Sequence, residues 1–300
     1  MDPWIPITVA AAFMQNLRTA LQKHLTGRLT TLGATYARFV MGVPFVAVYL
    51  WVVAAQTGQP VPTPDAAFAL YAALGGLAQI LATFCLLSAF QYRNFAVGTA
   101  YSKTETIQTA LVAAVVLGEA LSLGAVLGIL VSLAGVLTIS AARSRLSART
   151  LLTGWAEKAA LIGLASGGLF GVSAVCYRAA ALALDGGDSV IRAATTLACV
   201  LVFQTAAMTL WLLLRDRGQL AAVFRHWRWT IVVGLTSMLG SAGWFTAMAM
   251  QNAALVRAVG QVELVFTFAA STLIFRERSS AAELAGIALV VGGILLVLLW

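Results

Sequence analysis

Apolar residues run through this chain in long blocks separated by short polar punctuation. Each block is about 20 residues long, what an α-helix needs to cross a hydrocarbon core of roughly 30 Å. The pattern predicts ten helices near residues 4–23, 33–55, 66–89, 95–117, 121–142, 157–183, 189–214, 228–250, 253–275 and 280–300. The strict alternation of a membrane barrel is absent, and a helix satisfies its own backbone groups inside lipid. Turn residues set the boundaries: Gly58, Pro60, Pro62 and Pro64 close the second helix, and Asp185-Gly186-Gly187-Asp188 separates the sixth from the seventh. Trp4, Trp51, Trp155, Trp211, Trp227, Trp229 and Trp300 fall near predicted span ends, as an interfacial belt requires, whereas Trp244 lies well inside the eighth helix. The first block runs on into Gln15, Asn16, Arg18 and Lys23 rather than a small-residue cleavage site, and reads as a membrane helix and not a secretion signal.

The blocks repeat. Residues 88–142 lie over 246–300 without a gap at a constant shift of 158 positions, pairing Asn94 with Asn252, Glu105 with Glu263, Thr109 with Thr267 and Glu119 with Glu277. Ser122 pairs with Ser280, Gly128 with Gly286, and Gly135 with Gly293. Matches on polar and glycine positions are not what random apolar sequence would give, and a duplicated hydrophobic unit is the mark of a transporter built from two related halves. The basic stretch Ala142–Thr153 links residues 1–146, a first five-helix repeat, to 147–300, a second. Five is odd, so the second copy enters the membrane in the opposite sense. The expected fold class is therefore all-α integral membrane, ten transmembrane helices as a 5+5 inverted-topology repeat, with a central cavity on the symmetry axis.

Composition agrees: of 300 residues 61% are hydrophobic and only 10% charged, against roughly 25% charged in soluble domains. The net charge of +8 is a matter of topology. Lys23, Arg28, Arg93, Arg143, Arg145, Arg149, Lys158, Arg215, Arg217, Arg225, Arg228, Arg276 and Arg278 gather in alternate connections, and the opposite ones carry Asp65, Asp185 and Asp188. The positive-inside rule makes the basic set cytoplasmic and leaves both termini outside, and no nucleic-acid partner is implied. Cys85, Cys176 and Cys199 sit inside spans without metal-ligand spacing and read as packing residues. Gly163, Gly167 and Gly171 form a stripe on the sixth helix. Gly124, Gly128 and Gly135 on the fifth match Ala282, Gly286 and Gly293 on the tenth, a pattern that favours packing within a monomer over a dimer interface.

Glu105 and Glu263 each lie about ten residues into a predicted helix, roughly 15 Å deep. A carboxylate facing lipid there costs at least about 2.5–3.5 kcal/mol, so each is expected to face protein or water. Lys103 points away from Glu105 on a straight helix, which makes Glu263 its candidate partner. Tyr101 and Thr109 are placed on the Glu105 face and Thr267 on the Glu263 face. Gln15, Asn16, Gln79, Trp244 and Gln261 complete the polar and aromatic candidates for substrate contact, and for each an interhelical hydrogen bond or packing contact is the competing reading. Lys23, Arg38, Arg178 and Arg192 near span ends read as side chains snorkelling to head groups, with guidance of an anionic substrate group as the alternative. Glu119 and Glu277 read as interface caps.

These residues resemble the drug/metabolite transporter superfamily, in particular its ten-helix EamA-type members. The resemblance covers nearly the whole chain. It rests on Glu105-Thr106-Ile107 … Leu117-Gly118-Glu119, on Glu263-Leu264-Val265 … Arg276-Glu277, and on Lys23 followed by Ala37-Arg38-Phe39. Thr106 and Leu264 stand where the family usually has proline, and Arg276 where it has glycine. The resemblance implies a secondary transporter in a bacterial inner membrane that exports or exchanges small metabolites, amino acids or amphipathic drug-like solutes by alternating access. The family includes exporters of aromatic amino acids.

No Gly-Lys-Ser/Thr phosphate loop occurs, so no nucleotide cofactor is expected, and proton coupling and uncoupled facilitation are equally allowed. A channel or lipid scramblase is the alternative. An integral-membrane enzyme fits less well, because His24 and His226 lie at span ends and no metal cluster is present.

Overall fold

A computed structural model describes residues 2–25, 28–89, 95–144, 157–269, 272 and 280–299. Among the described residues every regular element is a helix. In chain order these are α1 (Trp4–Leu25), α2 (Thr31–Val40), α3 (Val43–Thr57), α4 (Ala66–Ala89), α5 (Phe95–Ser102), α6 (Glu105–Leu117) and α7 (Leu123–Ser144). They continue as α8 (Lys158–Ala183), α9 (Ser189–Arg215), α10 (Arg217–Arg225), α11 (Trp227–Met250), α12 (Ala253–Gly260), α13 (Glu263–Ala269) and α14 (Ala281–Leu299). Among the described residues seven helical stretches are long and apolar enough to cross a membrane: α2–α3 taken together, α4, α7, α8, α9, α11 and α14. Their outward residues are large and aliphatic, with Leu123 77% exposed, Leu299 76% and Leu214 74%, a surface suited to lipid and not to water.

Three predicted helices are not continuous. The second breaks at Met41–Gly42, because Pro44 in the first turn of α3 has no N–H to donate and its ring crowds the preceding turn. The fourth breaks between α5 and α6, and the ninth between α12 and α13. The connection after the seventh is itself partly helical, as α10. Arg93, Arg145, Arg149, Arg276, Glu277, Arg278, Trp155 and Trp300 lie outside the described residues, as does the end of the ninth predicted helix. Trp51, Trp211, Trp227 and Trp229 are exposed as an interfacial belt would have them, but Trp4 is buried and packs inside the protein.

Spatially the chain forms two compact units. One comprises Met1–Leu77 and Cys176–Gln251, the other Ala78–Val175 and Asn252–Trp300. Each draws on both halves of the sequence, and the division falls within α4 and α8.

In the first unit Tyr177 stacks on Phe245 with ring centroids 4.4 Å apart, and its hydroxyl accepts a hydrogen bond of 3.2 Å from Gln204 Nε2. Tyr36 and Thr209 share a hydrogen bond of 2.8 Å that ties α2 to α9. Arg178 does not snorkel: its Nη1 donates to the carbonyls of Met248 (2.7 Å) and Gln251 (2.8 Å), closing the C-terminal end of α11 where backbone acceptors have no helical partner. Asp188 caps α9, accepting from the amides of Val190 and Ile191 at 2.9 and 3.0 Å.

In the second unit α7 and α14 cross with their backbones in contact. A Cβ on Gly128 would lie 2.7 Å from the Gly293 carbonyl oxygen, and one on Gly293 2.6 Å from that of Gly128. Gly135 and Gly286 repeat the arrangement at 2.6 and 2.9 Å. The small-residue spacing noticed in the sequence thus packs two helices of one chain together.

Candidate functional site

The second unit holds a charged cluster built on the two broken segments. At the end of α5 the amides of Lys103 and Thr104 donate to Ala100 and Tyr101, both at 3.1 Å, a tighter pattern than the α-helical one. Thr104 explains why: its Oγ1 donates to the Tyr101 carbonyl at 2.6 Å and accepts from Gln108 Nε2 at 2.7 Å. The chain then restarts as α6 with Glu105 as its first residue. At the end of α12, after Gly260, the amides of Gln261 and Val262 make the same short bonds, to Ala258 at 3.2 Å and Val259 at 3.0 Å. There α13 restarts with Glu263. The shift of 158 positions carries Lys103 onto Gln261 and Glu105 onto Glu263, so both copies of the repeat are interrupted at the same place. Thr109 Oγ1 donates to the Glu105 carbonyl (2.7 Å) and Thr267 Oγ1 to that of Glu263 (2.9 Å). Each acid therefore sits in the first turn of a helix, where unpaired backbone amides favour negative charge.

The pairing crosses from one interruption to the other. Lys103 Nζ lies 2.9 Å from Glu263 Oε1, and Arg257 Nε lies 3.0 Å from Glu105 Oε1. Gln261 Nε2 adds a hydrogen bond of 3.0 Å to Thr106 Oγ1. Lys103 also feels Glu105, and Glu105 feels Glu263, so the four charges form one neutral group. Side-chain exposures are 31% and 17% for the first pair and 17% and 20% for the second. The group is therefore neither sealed nor fully hydrated, and a polar guest of suitable charge can compete for it.

Close backbone approach supports the first interruption. The glycine stripe of α8 runs along it, with Gly163 against Gly98, Gly167 against the Ser102 carbonyl and Gly171 against Thr109. A Cβ on Gly167 would fall 2.8 Å from the Ser102 carbonyl oxygen, at the interruption itself. Asn252, just before α12, caps it by accepting from the Ala254 amide (2.8 Å), and its Nδ2 donates to Glu119 Oε2 (2.8 Å). Glu119 thus ties the end of α6 to the start of α12.

Of the sequence candidates, Lys103, Glu105, Gln261 and Glu263 come together in this cluster. Tyr101 lies on α5, across the interruption from Glu105 and Thr109 on α6. Gln79 is half-buried on α4 in the same unit. Gln15 and Asn16 on α1, both half-buried, and Trp244 on α11, buried, belong to the other unit. Sequence reasoning missed Arg257. The usable signal was its charge, since any ionisable residue inside an apolar block needs a partner.

The comparisons with known proteins follow the same repeat. The model of the EamA-like transporter family matches residues 2–141 and again residues 158–299. A solved crystal structure aligns with a TM-score of 0.73 at 19% sequence identity, covering 99% of this chain and 96% of that one, a likeness of fold. No curated protein matches the sequence.

Proposed function

The chain belongs to the EamA-like transporter family and is a multi-pass membrane protein, and on that premise we propose that it is a secondary transporter working by alternating access. Its solutes are small metabolites, amino acids or amphipathic drug-like molecules carrying ionic groups. The observation that carries this reading is the mostly buried, partly exposed neutral quartet of Lys103, Glu105, Arg257 and Glu263 at matched interruptions of two segments. Broken helices that expose charge at depth are how secondary transporters bind polar groups inside a membrane. A solute ammonium group would displace Lys103 or Arg257 from a glutamate, and a solute carboxylate would displace a glutamate from its cation.

On this reading the chain crosses the membrane ten times. α5–α6 and α12–α13 each make one interrupted span, and the two five-span repeats run in opposite senses. Arg28, Arg215, Arg217, Arg225 and Arg228 mark the cytoplasmic side and leave the termini outside a bacterial inner membrane. Chemistry on the solute is no part of the proposal, and coupling, if present, is to protons through Glu105 or Glu263.

The test is counterflow in proteoliposomes loaded in turn with amino acids, amines and nucleosides, with and without an imposed pH gradient. Saturable exchange lost in Glu105→Gln supports the carrier. Single-channel conductance, or flipping of fluorescent lipid without solute exchange, replaces it with a channel or scramblase. Exchange indifferent to the gradient removes proton coupling alone.

A further inference from the structure

A short basic helix joins two spans of the first unit. α9 and α11 pack against each other, and α10 links the Arg215 end of one to the Trp227 start of the other. Its nine residues measure about 14 Å, too short to cross lipid, so it runs along the membrane boundary at that end of the unit. One face is pinned. Gln219 Oε1 accepts from the Thr30 amide just before α2 at 3.1 Å, Val223 is fully buried, and its carbonyl accepts from Thr230 Oγ1 on α11 at 3.2 Å. The other face is open: Arg217, Ala221, Phe224 and Arg225 follow the three- and four-residue spacing of a helix face and are all exposed. Arg215 before the helix and Arg228 after it are exposed too, and Asp216 is the one carboxylate in this stretch. Among the described residues none of these four arginines forms an ion pair. Arg217 Nε donates to the Leu213 carbonyl at 2.8 Å, and the Arg228 guanidinium lies 5.9 Å from the centre of the Trp227 ring. Arg28, two residues before Thr30, adds an exposed cation beside the same helix.

Large apolar side chains stand among these charges: Phe224 is 53% exposed, Trp227 54% and Trp229 43%. Leu213 and Leu214, exposed at the end of the α9 span, come immediately before Arg215. The occupant of this surface must therefore satisfy positive charge and apolar area at once, at the edge of the hydrocarbon. A nucleic acid supplies only the first. A phospholipid of net negative charge supplies both, phosphate oxygens for the guanidiniums and acyl chain for the rings.

We propose that α10 and the residues flanking it form a docking surface for anionic phospholipid, its arginines taking head-group phosphates while Phe224, Trp227 and Trp229 rest at the start of the acyl chains. The inference needs only that the chain crosses a membrane. It is measured on the resting protein, so its failure and that of the transport reading are separate results.

The experiment titrates the full chain in neutral detergent with phosphatidylglycerol, and separately with phosphatidylcholine, each carrying brominated acyl chains that quench tryptophan on contact. In the wild type, quenching by phosphatidylglycerol is expected to saturate at a lipid fraction about tenfold lower than phosphatidylcholine needs, and salt narrows the difference. Arg225→Gln and Arg228→Gln each cut that preference about fivefold, the worth of one cation beside an anionic surface. Lys158→Gln, which removes one exposed cation from the other unit, keeps the wild-type preference. Replacing Trp227 and Trp229 together by Phe removes part of the quenching, because those rings meet the bound chains. If Arg225→Gln does not fold, Arg228→Gln makes the same comparison. Equal saturation by the two lipids in the wild type, or a preference untouched by both arginine variants, overturns the proposal. So does a loss in Lys158→Gln as large as in Arg225→Gln, or quenching unaltered without the two tryptophans.

Discussion

Removing the Lys103 ammonium tests whether the quartet acts as one unit. In Lys103→Gln, Glu263 keeps its place in the first turn of α13 but loses a cation 2.9 Å away, and the group as a whole becomes negative. Two unit charges at that separation attract by about 4–6 kcal/mol at an effective dielectric constant near 20. The side chains are 31% and 17% exposed, so water screens much of that. Breaking a fully buried pair costs roughly 3–5 kcal/mol and a surface pair about 0–1, which brackets this variant near about 2 kcal/mol. Glu263→Gln should cost about the same by leaving Lys103 unmatched. The double variant restores neutrality, so its loss should fall short of the summed losses by about 1–2 kcal/mol. The assay is the unfolding midpoint of the four proteins in one detergent at one concentration, where about 2 kcal/mol corresponds to a fall of roughly 4–8 °C. A double variant that falls as far as the two singles together would refute the coupling, and with it the reading of the four residues as a single site.

Three further outcomes follow from the geometry. Gly167→Val places side-chain atoms against the Ser102 carbonyl and should cost about 3 kcal/mol or prevent folding, read by monodispersity on gel filtration, whereas Gly292→Val, where no atom lies within 4 Å of the added Cβ, should behave as wild type. Arg178→Gln leaves the Met248 and Gln251 carbonyls without their donor and should destabilise by about 1–3 kcal/mol, seen as faster amide hydrogen exchange at the end of α11. Asp188 is held below the usual carboxylate range chiefly by the Ile191 amide, which outweighs the opposing effect of burial with help from the Gln59 side chain, the Val190 amide and the Arg192 charge. Its contribution is therefore complete above the unfolded value near about 4 and disappears as pH falls through the lower folded value. Asp188→Ala should cost about 1 kcal/mol at pH 7 and progressively less below about pH 4 in a stability–pH profile.

Much of this was legible in the chain, for identifiable reasons. Helix positions follow from block length, and the repeat from polar residues recurring at one shift. The Lys103–Glu263 pair follows from the angle that keeps Lys103 from Glu105. The interruptions are harder to read because no proline marks them. The first arises from a hydroxyl, Thr104, taking a backbone carbonyl, and only Gly260 hints at the second. Arg257 escaped because the repeat does not predict it: it stands six residues before Glu263, whereas Lys103 stands two before Glu105. Arg178 misled because a cation near a span end has two good uses, head groups and helix ends, and sequence does not choose between them. The break at Gly42 was announced by Pro44, which a block-length criterion passes over.

The zero sum of the quartet has an electrical consequence. A proton taken up by either glutamate leaves one excess positive charge at depth, so a proton-coupled cycle carrying a zwitterion would be driven by membrane potential, each charge crossing being worth about 2.3 kcal/mol per 100 mV. A solute bearing one net negative charge would cancel that excess and make the same cycle voltage-independent. Uptake measured under a potassium–valinomycin potential would therefore report the valence of an unidentified cargo before its structure is known.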